Sequence, residues 1–177
     1  SFDFENGKLP TGWEASPFLV STPCDPPRGD TSPPSNYFWA TTLVETPTHP
    51  NFGMRFVQTS AVDVREGGSI EFFIRYGADD PYIPNGRENC EDGDAANEEV
   101  YLQYSANGGD WVTMYDDWDT VNGYNADWYN WHFNDLPIPN DAKSSSTRFR
   151  WRQPYNSGYM YDNWGLDDIK VKAIPPP

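Results

Sequence analysis

Along much of the chain apolar residues recur at every second position, the period of a strand that buries one face. In residues 69–76, Ile70, Phe72, Ile74 and Tyr76 alternate with Ser69, Glu71, Phe73 and Arg75. Val100, Leu102 and Tyr104 repeat the pattern, and Phe149 and Trp151 alternate with Arg148, Arg150 and Arg152. No window of about 11 residues carries the i, i+3, i+4, i+7 spacing of an amphipathic helix. The pattern predicts strands over 2–5, 17–21, 37–43, 53–57, 69–76, 99–105, 111–115, 128–134, 147–152 and 163–174. Asn107, Gly108 and Gly109 supply the positive-φ turn of a hairpin that returns through Trp111. Short strands with turn signals between them predict an all-β chain, an antiparallel β-sandwich of about ten strands. Residues 22–36, rich in Pro, Ser and Asp, and the acidic stretch 78–98 fit no strand. Irregular connections of that length tend to carry function in a compact domain.

Length and charge narrow the picture. At 177 residues the chain reads as one sandwich over 1–174, followed by the start of a Pro-rich linker at 175–177. The abrupt start at Ser1 suggests a module of a longer, extracellular or cell-surface protein with neighbouring domains. A formal net charge of −15 argues against nucleic acid and anionic membrane surfaces, and favours cations, basic partners or neutral ligands. No apolar run approaches the roughly 20 residues that span a bilayer. The two cysteines, Cys24 and Cys90, sit in the two irregular stretches, with no second Cys or His at metal-ligand spacing. They are either free thiols or one disulfide that ties the loops together.

One run conflicts with the alternation. In residues 166–171, Leu-Asp-Asp-Ile-Lys-Val, strict alternation puts Asp167 on the face of Ile169 and Val171. A carboxylate at a core edge is costly unless something pairs with it.

Four segments, in order, resemble the subrepeats of the reelin repeat: FDFENGKLPTGW at 2–13, EVYLQYSANGGDW at 99–111, LPIPNDAKSSSTRFRWRQP at 136–154 and SGYMYDNWGLDDIKV at 157–171. The opening and closing motifs are also similar to those of carbohydrate-binding jelly rolls and bacterial cleaved-adhesin domains. The resemblance implies an eleven-stranded or similar jelly roll, so about ten to eleven strands in all, with a calcium ion where the first and last strands meet. It also implies a disulfide from an early loop to the loop before YLQYS, which matches Cys24 and Cys90. Asp3 and Glu5 in the first strand, with Asp167 and Asp168 in the last, would then supply oxygens to Ca2+, a cation that takes six to eight of them. The alternative is a carboxylate satisfied by backbone N–H groups or by an arginine such as Arg148.

Other candidates carry less. Glu91, Asp92 and Asp94 form a possible second cation site in the acidic loop, but their spacing does not match the EF-hand loop, and a solvated loop explains them as well. Trp118, Tyr124, Trp128, Tyr155 and Tyr159 fall in or beside loops, where aromatic faces contact ligands or plug the ends of a sandwich. The two histidines are His49, in a loop, and His132, expected to face outward, opposite Trp131 and Phe133. No G-x-S-x-G elbow, H-E-x-x-H motif or Gly-rich phosphate loop is present. Arg28–Asp30 spells Arg-Gly-Asp, a three-residue motif that recurs by chance. The expectation is a non-catalytic, calcium-stabilised binding or adhesion module for a protein or peptide ligand at a cell surface. A carbohydrate-binding module and a structural spacer are the alternatives.

Overall fold

The computed structural model describes residues 4, 6–20, 36–41, 54–77, 93, 95, 97–116, 128, 130–158 and 161–177. Its strands are β1 (Glu14–Ala15), β2 (Phe18–Leu19), β3 (Phe38–Ala40), β4 (Arg55–Gln58), β5 (Gly68–Tyr76), β6 (Tyr101–Ala106), β7 (Val112–Tyr115), β8 (His132–Pro137), β9 (Thr147–Gln153) and β10 (Trp164–Ala173). They form two five-stranded sheets, in the orders β1-β4-β9-β6-β7 and β2-β3-β10-β5-β8. All the strand pairs are antiparallel. The result is an all-β sandwich of the jelly-roll kind.

The period-2 residues do what their pattern predicts. Ile70, Phe72 and Ile74 of β5, Leu102 of β6, and Phe149 and Trp151 of β9 are fully buried in one shared core. Phe72 meets Trp151 edge to face at 5.1 Å, which locks the second sheet to the first. Asn107 (φ 51°) and Gly108 (φ 73°) make the predicted left-handed turn between β6 and β7.

Three expectations change. The two-residue β1, paired with β4, is too short to show a period in sequence. β8 starts at His132 rather than at Trp128, and its register reverses the expected facing of the histidine. Phe133 pairs with Phe73 on the outer face and is 56% exposed, whereas His132 pairs with Ile74 on the core side and packs against Trp128 at 4.2 Å. The third change concerns Asp167. Its partner across β5 is Phe73, on the outer face, and the register shifts between Asp167 and Lys170. An extra residue there forms a β-bulge that restarts the alternation, so Ile169 returns to the core while Asp167 does not share its face.

Candidate functional site

The bulge is built by the two acids themselves. Asp168 adopts φ 49°, in the left-handed region that Asp tolerates better than bulkier residues. Its backbone N–H donates to Asp167 Oδ1 at 2.8 Å. Asp167 is only 1% exposed even though it lies on the outer side of its sheet. Arg148, the arginine considered as its partner, is on β9 in the other sheet, so it is not that partner. Among the described residues, Arg75 is an arginine on Asp167's own face, and its backbone pairs with Gly165 one step along the ladder. The Arg75 guanidinium stacks 5.5, 5.5 and 5.3 Å from the rings of Tyr37, Trp39 and Trp131. Gly165 makes room for that cover, because a Cβ there would lie 3.1 Å from Trp131 Cη2 and 3.2 Å from Trp39 Cε3.

The start of the chain comes to the same strands. Phe4 is buried against Phe38, with ring centroids 5.9 Å apart, and Phe38 pairs with Leu166, the residue before Asp167. Asp3 and Glu5, on either side of Phe4, lie outside the described residues. Among the described residues no group of three or more His, Cys, Asp or Glu side chains is placed to hold a metal. Asp167 and Asp168 offer the hard oxygen donors that calcium takes. Glu91, Asp92, Asp94, Trp118, Tyr124, Tyr159, Cys24 and Cys90 also lie outside the described residues. Of the predicted ligand aromatics, Trp128 packs edge to face on Tyr76 at 5.4 Å and closes that part of the core, and Tyr155 is 46% exposed.

A buried polar network, not anticipated from sequence, holds the loop between β9 and β10. Arg55 donates through Nη1 to the carbonyls of Tyr161 (2.7 Å) and Asp162 (2.8 Å), and through Nη2 to that of Gly158 (2.8 Å). Gln153 Nε2 donates to the carbonyls of Glu98 (2.8 Å) and Asp162 (2.9 Å). The Asp162 carboxylate accepts from the Ser157 N–H, and the Ser157 hydroxyl donates to Glu98 Oε1 at 3.1 Å. Burial pushes the Asp162 carboxyl up to about 7, and the charge of Glu98 adds to the shift. Burial likewise lowers Arg55 to about 10, against the nearby Asp162 and Glu98 charges, so it stays charged at neutral pH.

The outer face of the first sheet is an ordered polar surface. Gln58 Nε2 donates to Glu14 Oε2 (2.7 Å), Arg150 donates through Nε and Nη2 to Gln103 Oε1 (3.2 and 2.7 Å), and Gln103 Nε2 donates to Thr113 Oγ1 (3.2 Å). The Arg150 guanidinium lies 4.0 Å over the Trp111 ring. Burial, then the charge of Arg152, lowers Arg150 to about 10. Beside this row a pocket of about 340 Å³ opens between Arg148, Gln58, Ser105, Ser146, Trp111 and the Gly108–Gly109 turn. The arginine alternation on β9 was the sequence signal for this face. It could not show that the β6–β7 turn would rise into a wall.

Residues 46–172 match the family model described as Reelin subrepeat B. The chain belongs to the Reelin subrepeat B family. Three solved structures are similar to this chain, and the first two extend the likeness at the level of fold. A cleaved adhesin domain of Lys-gingipain from Porphyromonas gingivalis is 14% identical, with 97% of this chain and 96% of that one covered and a TM-score of 0.53. An exo-beta-agarase is 14% identical, with 99% of this subrepeat but 26% of the agarase covered and a TM-score of 0.51. A family 35 carbohydrate-binding module from Paenibacillus barcinonensis is 14% identical, with 97% and 98% covered and a TM-score of 0.42.

Proposed function

We propose that this Reelin subrepeat B chain is a non-catalytic, calcium-stabilised binding module of an extracellular or cell-surface protein. The sandwich serves as a rigid frame, and a protein, peptide or glycan ligand docks on it. The observation that carries the calcium part is the buried Asp167 carboxylate at the bulge, on a strand whose neighbour Phe38 packs against Phe4 at the start of the chain. Asp167 and Asp168, with Asp3 and Glu5 from the chain start, would hold the ion. A bound Ca2+ would supply charge neutralisation there and tie the first segment to the last strand. Stability then rises with calcium by mass action.

The non-catalytic part rests on chemistry. Among the described residues the one histidine, His132, packs against Trp128 rather than beside a nucleophile. The ordered surface of the first sheet supports the binding part.

The test is thermal unfolding of wild type and Asp167→Ala, each with calcium and with excess chelator. The expected result is a wild-type midpoint that falls sharply in chelator and a variant midpoint that does not move. A wild type indifferent to calcium would sink the calcium reading, and Arg75 would then be the cation to examine against Asp167.

A further inference from the structure

We propose that the pocket at Arg148 and Trp111 binds a pyranose sugar that carries one carboxylate, as in a uronate-containing glycan. The proposal rests on the binding-module reading and names its site and ligand class.

The argument starts from a spare charge. Arg150 is committed to Gln103 and Trp111, and Arg152 donates to Met54. Arg148, the first of the alternating arginines on β9, is exposed and has no hydrogen-bond or ion-pair partner among the described residues. An arginine fork on a pocket wall matches a carboxylate with two parallel N–H donors. The rest of the lining suits hydroxyl groups. Gln58 spends its amide nitrogen on Glu14, which leaves the amide oxygen to accept from a ligand hydroxyl. Ser105 donates to the Gly109 carbonyl at 2.6 Å, so its oxygen is left as an acceptor, and the Ser146 hydroxyl can serve either way. Trp111 adds an aromatic wall for the C–H face of a ring. At about 340 Å³ the volume is at the low end of small-molecule sites.

Two observations weigh against an acidic peptide. The pocket lies on the face of the sheet, over β4, β6 and β9, where a peptide backbone finds no free strand edge to pair with. It also lacks the apolar socket that anchors a protein hot spot. Charge sets the number of carboxylates. Glu14 bonds to the lining residue Gln58, Asp110 lies in the chain between the lining residues Gly109 and Trp111, and the chain carries −15, so a dense polyanion is repelled while a single carboxylate meets Arg148.

The experiment is an amide and indole NMR titration of wild type, Arg148→Ala and Arg148→Lys with methyl glucuronide, methyl glucoside, acetate and a Glu-rich peptide. Thermal melts confirm that each variant is folded. The expected result is saturable binding of the glucuronide that shifts the Trp111 indole, with the glucoside about tenfold weaker or more, because it lacks the charge-assisted pair. Arg148→Ala should abolish that preference, and Arg148→Lys should restore part of it. Equal binding of the two sugars, a preference that survives Arg148→Ala, or saturation by acetate as tight as by glucuronide would overturn the proposal. So would Arg148-dependent binding of the peptide without the sugar. If peptide or glycan libraries find a ligand insensitive to Arg148, this site is wrong and the binding module stands. If no ligand of any class binds, both readings fall together.

Discussion

Asp168 shows how one backbone conformation can decide a strand. At φ 49° it costs a β-branched residue about 1–2 kcal/mol and costs glycine nothing. Measured in chelator, so that no ion contributes, Asp168→Val should lose about that much stability in urea melts. Asp168→Gly should stay within about 1 kcal/mol of wild type. Equal losses in both variants would mean that the carboxylate, rather than the conformation, matters there. Asp162 carries a pH signature. Its carboxyl titrates near 7 in the fold against 3.8 as the ordinary value. Between those pH values the folded chain holds a proton that the unfolded chain has released, so stability falls as pH rises through the window. Asp162→Asn keeps an acceptor for the Ser157 N–H and suits the residue's φ of 54°. It should flatten the decline, read as the difference between wild-type and variant denaturation curves at acidic and neutral pH.

At the scale of elements, the loop between β9 and β10 is held from outside by Arg55 on β4 and by Gln153 at the end of β9. The Arg55 fork reaches three of its carbonyls, a geometry that a lysine ammonium cannot reproduce. Arg55→Met should cost about 3–5 kcal/mol, since it strands the buried Asp162 and Glu98 without their cation. Arg55→Lys should cost less but raise hydrogen exchange at Gly158, Tyr161 and Asp162. Exchange that is unchanged in both variants would show that the loop is held by Gln153 alone. On the other side of the sandwich, Gly165→Ala should push Trp39 and Trp131 off the sheet. The expected loss is about 1–3 kcal/mol, with altered tryptophan fluorescence as the local report.

The whole molecule is two sheets that share one core, so neither sheet has an interior without the other. Trp151 sits at their junction against Phe72, and Trp151→Ala should cost about 3–5 kcal/mol. Near- and far-ultraviolet circular dichroism should still lose signal in a single coincident transition. Two separated transitions would mean that the sheets fold independently. The charge of −15 also acts at this scale. In chelator, raising salt should raise the melting midpoint by screening self-repulsion, whereas calcium should act at far lower concentration if it binds at a site.

The sequence by itself determined which residues face inward wherever the period of two runs unbroken, as in β5, β6 and β9. It determined the β6–β7 hairpin through Asn107 and Gly108, and through its motifs it showed the family. Those signals are local: a side chain's face follows from its neighbours a few positions away. Tertiary structure alone decided the rest. The bulge at Asp168 moved Asp167 off the face that alternation assigned it, because an extra residue can be counted only against the partner strand. His132 faced the core because register with Ile74, not its own neighbours, set its side. Arg55 reached the carbonyls of Gly158, Tyr161 and Asp162 across about a hundred residues of chain. The pocket at Arg148 exists only where three strands and a turn converge, a juxtaposition that no stretch of sequence contains.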